Sequence, residues 1–554
     1  MATRNSKTGW DKMTSGNDYL QYFPYKEPRD EQIQAIDASL AAFKSGKRFV
    51  ILEAGTGVGK SAIGLTLGRK ISEGLTKTED FDPGAWFVTT QKILQDQYVS
   101  DFGSAAGGMK SIKSSTNYMC GFHKRNTCSQ SQQLLRTADR DSRFFKACTF
   151  KCHYKQSKKS YLESRESVTN FPYFMTEAAY SGKITPRRLL VVDEAHNIET
   201  ELSRFVEVTI TDRFVKHVLK TTLPRHQTQF QAFKWVRDIY FPKAKSMLSH
   251  MERQIEKIDL TQKMKELQTI ARQYDMLRGH VSKLESFLLY YNKDNWVFDE
   301  ETSWERKSRK FVFKSIDVSG YATEYLFRLG EKVLMMSATI LDHEAFCNTL
   351  GISKEETEFI QIASPFPVEN RPILYNPIGS MSAKAIDSSL PKMVQAVKMI
   401  MEAHKNEKGI IHCHSYKVAN YIKKKIRSQR ILIHDSTNRD EVLSKHIAGS
   451  KPTVLLSPSM TEGVDLKGDA SRFQIICKVP YPYLGDKLVK KRMNKWKSWY
   501  PLQTAKSIVQ SIGRSVRSKD DHAVTYILDA DFDRFYRMNA RFFSKDFKKC
   551  LNRP

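Results

Sequence analysis

A glycine-rich loop caught between an apolar run and a helix constrains this chain more than any other feature. Arg48-Phe49-Val50-Ile51-Leu52 leads into Glu53-Ala54-Gly55-Thr56-Gly57-Val58-Gly59-Lys60-Ser61, and an apolar helix is expected from near Ala62. Strand, loop, helix is the order a phosphate-binding loop requires: glycines let backbone N–H groups converge on a phosphate at the helix N-terminus. Lys60 can then reach the outer phosphate oxygens and Ser61 can ligate Mg²⁺. Ala54 stands where the strict pattern has its first glycine, a departure that weakens the reading little.

Other apolar runs repeat the strand signal. Ala85-Trp86-Phe87-Val88 and Leu189-Leu190-Val191-Val192 follow in the first half. Gly409-Ile410-Ile411-His412, Thr453-Val454-Leu455-Leu456, Phe473-Gln474-Ile475-Ile476 and Val524-Thr525-Tyr526-Ile527-Leu528 follow in the second. Continuous apolar strands spaced by helices read as buried parallel sheet, so two α/β domains are expected. A length of 554 residues agrees, being too long for one ordinary domain.

Two stretches break the alternation. Residues 106–168 are poor in strand signal and carry Cys120, Cys128, Cys148 and Cys152; from Lys110 to Lys159 there are 12 Lys or Arg against two Asp. Residues 209–305 instead place apolar residues at helical spacing, as in Met247, Met251, Ile255, Ile258 and again in Leu277, Val281, Leu284, Leu288. The first stretch reads as an insertion held by a metal, the second as a helical insertion without a catalytic motif.

Val191-Val192-Asp193-Glu194-Ala195-His196 puts two carboxylates at the end of a buried strand. Asp193 can hold Mg²⁺ and Glu194 can orient and deprotonate an attacking water. In Gln510-Ser511-Ile512-Gly513-Arg514-Ser515-Val516-Arg517, helical spacing places Arg514 and Arg517 on one face, suited to act as arginine fingers if the second domain closes over the γ-phosphate. The net charge of +28 at pH 7 calls for a polyanionic partner. Aromatics lie among the basic residues in two groups: Tyr118, Phe122, Phe144, Phe145, Phe150 and Tyr154 near the cysteines, and Tyr481, Tyr483, Trp496, Trp499 and Tyr500 beside Lys487, Lys490, Lys491 and Arg492. Such groups suit stacking on single-stranded bases and contact with their phosphates.

Four thiolates suit zinc or an iron–sulfur cluster. Their intervals of seven, nineteen and three residues give only one tight pair, Cys148 with Cys152, which argues mildly against a zinc ribbon and otherwise leaves both open. Eight cysteines in so long a chain do not suggest a disulfide scaffold. No apolar run reaches membrane-span length and residues 1–27 lack the core of a signal peptide, so an intracellular protein, cytoplasmic or nucleoid-associated, is expected.

The motifs, in their order, resemble the XPD and DinG family of superfamily 2 iron–sulfur DNA helicases over most of residues 25 to 535. Pro28-Arg29-Asp30-Glu31-Gln32 is similar to the adenine-side motif, with Gln32 reading the base and Arg29 nearby. Thr89-Thr90-Gln91 resembles the strand-end motif that touches the DNA backbone, Met336-Ser337-Ala338-Thr339 the coupling motif, and Ser364-Pro365-Phe366 the start of the second motor domain. Ser459 to Asp465, with Glu462, Gly463 and Asp465 the closest matches, and Gln510 to Arg517 resemble the last two motifs; Asp521 falls where the family has an acidic residue.

The resemblance implies two RecA-like parallel-sheet motor domains, the first interrupted by an iron–sulfur insertion and a helical arch. The expected boundaries are 1–27 for an N-terminal extension, 28–105, 169–208 and 306–345 for the first motor domain, 106–168 for the four-cysteine insertion, 209–305 for the arch and 346–554 for the second motor domain. No fused nuclease domain is expected ahead of Arg29. The implied cofactors are ATP, Mg²⁺ held by Ser61 and Asp193, and a [4Fe-4S] cluster on Cys120, Cys128, Cys148 and Cys152, with zinc the second choice. The nucleotide would be bound by Arg29, Gln32, Ala54 through Ser61, Glu462, Gly463 and Asp465, with Lys60, Asp193, Glu194, Gln510, Arg514 and Arg517 acting in hydrolysis. The implied activity is 5′ to 3′ movement on single-stranded DNA with unwinding of forked duplex by a monomeric motor. An RNA-directed motor with a zinc insertion, and a non-catalytic nucleic-acid-binding protein with a relic nucleotide fold, are the alternatives.

Overall fold

The fold is described from a computed structural model, which covers residues 18–55, 57–104, 107–135, 138–257, 264–303, 308–434, 438–458, 466, 468–516 and 518–553. Thr56, Glu462, Gly463, Asp465 and Arg517, expected at the site, lie outside the described residues, as does Ile258 of the helical stretch.

Two seven-stranded parallel sheets organise the chain. The first runs in the order Thr357–Ile362, Phe49–Ala54, Gly330–Ser337, Arg187–Asp193, Asp82–Thr89, Glu166–Asn170, Lys110–Ser111. Its central strands are apolar at successive positions because both faces are covered. Phe49 and Ile51 enter one core with Leu190, Val192, Val333 and Met335. Val50, Leu52 and Ala54 enter the other with Leu189, Val191, Leu334 and Met336. Each large side chain so buried contributes about 1.5–3 kcal/mol. The second sheet runs Ile431–Ile433, Val454–Ser457, Gly409–His412, Phe473–Ile476, Val524–Asp529, Ile373–Gly379, Leu551–Asn552.

The boundaries differ from expectation in three places. Thr357–Ile362 pairs with Phe49–Ala54, so the first sheet reaches past residue 345. Lys110–Ser111 pairs with Glu166–Asn170, which sews both ends of the cysteine insertion into the same sheet. The helical insertion stands on a three-stranded antiparallel sheet, in which Ser308–Ser315 lies between Val208–Thr211 and Trp296–Ser303. The strand Val208–Thr211 finds its partner about a hundred positions away, which periodicity cannot show, whereas Trp296–Ser303 and Ser308–Ser315 pair locally.

The helices Phe241–Glu256 and Met264–Tyr290 form the body of that insertion. Met251, Ile255, Leu277 and Val281 are buried there together with Leu134, Phe144 and Cys148 of the cysteine insertion. The two insertions therefore share one core. No helix among the described residues is long and apolar enough to cross a membrane.

One buried polar node joins the second domain to the first. Arg492, in the helix Lys487–Lys495, is 5% exposed; its guanidinium meets Glu199 at 2.9 Å and donates to Ser203 Oγ at 2.7 Å, Ile316 O at 2.9 Å and Ser315 O at 3.1 Å. Trp499 Nε1 donates to the same Glu199 carboxylate at 3.0 Å. Glu199 lies in the helix Ile198–Val206, just past the Asp193-Glu194-Ala195-His196 motif, and Ser315 ends the central strand of the antiparallel sheet. Removing one partner of such a pair strands the other charge without solvent, at a cost of about 3–5 kcal/mol. Arg492→Leu should lower the unfolding free energy measured in urea by that amount, and adding Glu199→Leu should recover part of the loss. A stability within about 0.5 kcal/mol of the parent would contradict this account of the node.

Candidate functional site

The strand Phe49–Ala54 delivers the glycine loop, and the helix Lys60–Ile71 carries it away. Gly57 and Gly59 have φ of 84° and 83°, a left-handed conformation that glycine adopts without Cβ strain. Both are also tightly overlaid. A Cβ on Gly57 would lie 2.1 Å from the Phe366 ring, and one on Gly59 would lie 2.5 Å from Gln32 Nε2. Arg29 donates to Gly57 O at 2.8 Å, and Gln32 closes back on Arg29 N at 2.9 Å. The adenine-side segment and Ser364-Pro365-Phe366 thus hold the loop from two directions. Lys60 Nζ donates to Ala54 O at 3.2 Å, folded back along the loop.

Next but one in the sheet, Arg187–Asp193 ends at the same edge, with Gly330–Ser337 between it and the loop strand. Register sets Glu53 beside Ser337 and Asp193 beside Met336. Burial, then the charge of Glu194, pushes the Asp193 carboxyl above its ordinary range, to about 6, while Lys60 and the Tyr98 phenol pull it down. Asp193 Oδ1 accepts from Glu194 N at 3.0 Å and Oδ2 accepts from Tyr98 OH at 3.1 Å. Glu194 sits at φ 53°, a left-handed conformation that costs a non-glycine residue about 1–3 kcal/mol and occurs chiefly at working sites. His196 Nδ1 meets Ser337 Oγ at 2.8 Å; burial lowers its pKa to about 4, leaving the ring neutral at pH 7.

The second domain reaches this edge through the helix Trp499–Ile512. Gln510 Nε2 donates to Thr339 Oγ1 at 3.3 Å, and Thr339 N donates to Ser337 Oγ at 3.0 Å. A chain of polar contacts therefore runs from His196 through Ser337 and Thr339 to Gln510. Arg514 and Lys506 are close enough to His196 to disfavour its charged form. Asp521 pairs with Arg472 at 2.6 Å and accepts from Gly468 N at 3.1 Å, holding the segment that follows Ser459 to Asp465.

Sequence reasoning missed Tyr98 and Glu199. An apolar-looking helix position concealed the first, and no local pattern marks the second as buried. Arg492 reads from sequence as one of a DNA-facing basic group, whereas the structure buries it against Glu199.

The four cysteines draw together, with Cys128 opening the helix Cys128–Leu134, Cys148 in the helix Arg143–Phe150 and Cys152 at the start of the helix His153–Glu163. Cys128 and Cys148 are buried and Cys120 and Cys152 partly so. Cys128 and Cys152 sulfurs are 3.6 Å apart, and each buried thiol feels the charges of the other cysteines. Burial first, then Cys152, pushes Cys128 up to about 12, and burial raises Cys148 to about 11. Four thiols so placed can ionise together only beside a compensating cation, which is the chemistry a thiolate-held metal supplies. Among the described residues no group of three or more His, Cys, Asp or Glu is closed into a metal-coordinating arrangement.

The aromatic candidates divide. Phe150 is 74% and Tyr483 80% exposed, and Phe122, Tyr481 and the neighbouring Leu484 are also open. Phe144 and Trp499 are core residues instead. Trp499 is committed to Glu199, so helical packing rather than stacking explains it.

Family comparison agrees with this architecture. Residues 25–230 match the family described as type III restriction enzyme, res subunit, and residues 397–549 match the helicase C-terminal domain. The ATP-dependent DNA helicase DinG of Photobacterium profundum is 24% identical over 39% of this chain and 34% of its own length. The ATP-dependent DNA helicase YoaA of Escherichia coli is 24% identical over 41% of this chain and 37% of its own. The matched segment thus spans about a third of these relatives. In fold, a solved XPD helicase superimposes over 96% of this chain and all of its own with a TM-score of 0.61 at 15% identity. The Xpd4 protein of S. tokodaii covers 95% of this chain and all of its own with a TM-score of 0.57 at 14% identity. Two parallel-sheet domains, the loop and acidic motifs on one sheet edge and these matches in both halves support a place for the chain in the XPD and DinG family of helicases.

Proposed function

We propose that this chain is an ATP-dependent DNA helicase that hydrolyses ATP between its two parallel-sheet domains. It moves 5′ to 3′ along single-stranded DNA and separates the duplex ahead. The observation that carries the reading is the contact of Gln510 with Thr339 at the edge where Lys60 and Asp193 also emerge. It ties the second domain to the strand ends that hold the loop and the carboxylates.

Lys60 would leave its bond to Ala54 O and take up phosphate oxygens. Glu194 would orient the attacking water and receive its proton, with neutral His196 relaying its position to Ser337. Magnesium, held by Ser61 and Asp193, supplies charge compensation at the phosphates when bound. Arg514 and Arg517 would approach from the second domain as the cleft closes, which links hydrolysis to movement. The +28 charge fits a phosphate backbone as partner, and exposed Tyr483 and Phe150 offer faces for bases. Cys120, Cys128, Cys148 and Cys152 would hold a [4Fe-4S] cluster that stiffens the strand-separating insertion, with zinc the second choice. The protein would work as a monomer inside the cell.

Three measurements check this. Lys60→Ala should lower DNA-stimulated ATP hydrolysis by roughly two to three orders of magnitude; hydrolysis near the parent rate would refute the site. Cys120→Ser should abolish unwinding of a 5′-tailed duplex yet keep some basal hydrolysis, since the insertion serves the DNA and the loop serves the nucleotide. Undiminished unwinding would remove the insertion from the mechanism. Anaerobic purification should return about four irons per chain with absorption near 400 nm. One zinc without iron, together with stronger stimulation by RNA than by DNA, would favour the RNA-directed alternative.

A further inference from the structure

The helix Lys92–Phe102 follows Thr89-Thr90-Gln91 and packs on the strands Glu166–Asn170, Lys110–Ser111 and Asp82–Thr89, the last of which neighbours the Asp193 strand. Tyr98, on its second turn, is 3% exposed, with its ring 5.7 Å from that of Phe87 and 6.0 Å from that of Phe102. Packing alone would be met by Phe or Leu at this position. A phenolic hydroxyl taken out of water costs free energy unless it finds partners. Its partner is the acidic motif: the hydroxyl donates to Asp193 Oδ2 at 3.1 Å. Asp193 is one of the two side chains, with Ser61 of the glycine loop, that fit a divalent cation here.

Both carboxylate oxygens of Asp193 are engaged, Oδ1 by Glu194 N and Oδ2 by Tyr98. The carboxylate plane is thereby fixed before any cation arrives. Partners of this kind set the orientation of a metal-binding group, and losing one commonly lowers metal affinity about 10–100-fold.

We infer that Tyr98 is a positioning residue for the cation site: its hydroxyl holds the Asp193 carboxylate in the orientation in which it would meet the divalent ion of a nucleotide complex. The inference rests on the nucleotide-site reading above. Tyr98→Phe keeps the ring and deletes only the hydroxyl and its bond to Asp193. Mn²⁺ affinity of the full chain with a non-hydrolysable ATP analogue, read by electron paramagnetic resonance, should fall about tenfold in Tyr98→Phe, with the affinity for the analogue alone unchanged. In an Asp193→Asn background the same change should add less than about twofold, because the orienting contact has lost its target. Equal Mn²⁺ affinity in Tyr98→Phe and the parent overturns the inference, as does a full tenfold loss in the Asp193→Asn background. A parent chain that binds no Mn²⁺ with the analogue overturns the nucleotide-site reading itself, a separable outcome.

Discussion

Everything at the candidate site depends on neighbouring parallel strands ending at one edge of one sheet. Phe49–Ala54, Gly330–Ser337 and Arg187–Asp193 lie side by side in register, and each hands over a polar group where it stops. Parallel strands point all their carboxyl ends the same way, so loops far apart in sequence must meet there. Burial of both sheet faces makes the register costly to shift. The apolar cores therefore fix the distances between Lys60, Asp193 and Ser337 as firmly as any polar contact does.

Polar contacts then decide what that edge can sense. His196, Ser337, Thr339 and Gln510 make a short path from the acidic motif to the second domain. The Arg492 node makes a second path, from the second domain to Glu199 and to the antiparallel sheet beneath the helical insertion. A buried ion pair of this kind does little for net stability compared with apolar packing, but it admits few alternative geometries. A rotation of the second domain cannot leave the base of that insertion untouched. Since the insertion shares its core with the cysteine segment, a movement of the second domain would have a physical route to the region proposed to part the strands.

Much of this is legible in the sequence. The glycine loop, the strands at Arg187–Asp193 and Gly409–His412 and the two interruptions are readable, because continuous apolar runs and positive-φ glycines have local causes. The place of Val208–Thr211 in the antiparallel base is not, since its partner Ser308–Ser315 lies about a hundred positions away. Nor is the sheet membership of Thr357–Ile362, an edge strand with only Ile360 and Ile362 buried. Tyr98, Glu199 and Arg492 take their roles from partners 95, 300 and 289 positions away, beyond the reach of any local pattern. Trp499 has the composition of a stacking platform, but its indole is committed to Glu199. The roles of Glu462, Gly463, Asp465, Arg517 and Thr56 rest on the motif resemblance alone.

The central claim is that one hydrolytic site is built from both domains. Arg514→Ala tests it directly, by measuring nucleotide affinity and DNA-stimulated hydrolysis in the same protein. A shared site predicts hydrolysis lowered by about 10³-fold or more with nucleotide affinity within a few-fold of the parent, as for an arginine that acts only as charge develops. Hydrolysis at the parent rate would contradict it, and would confine the chemistry to the first domain.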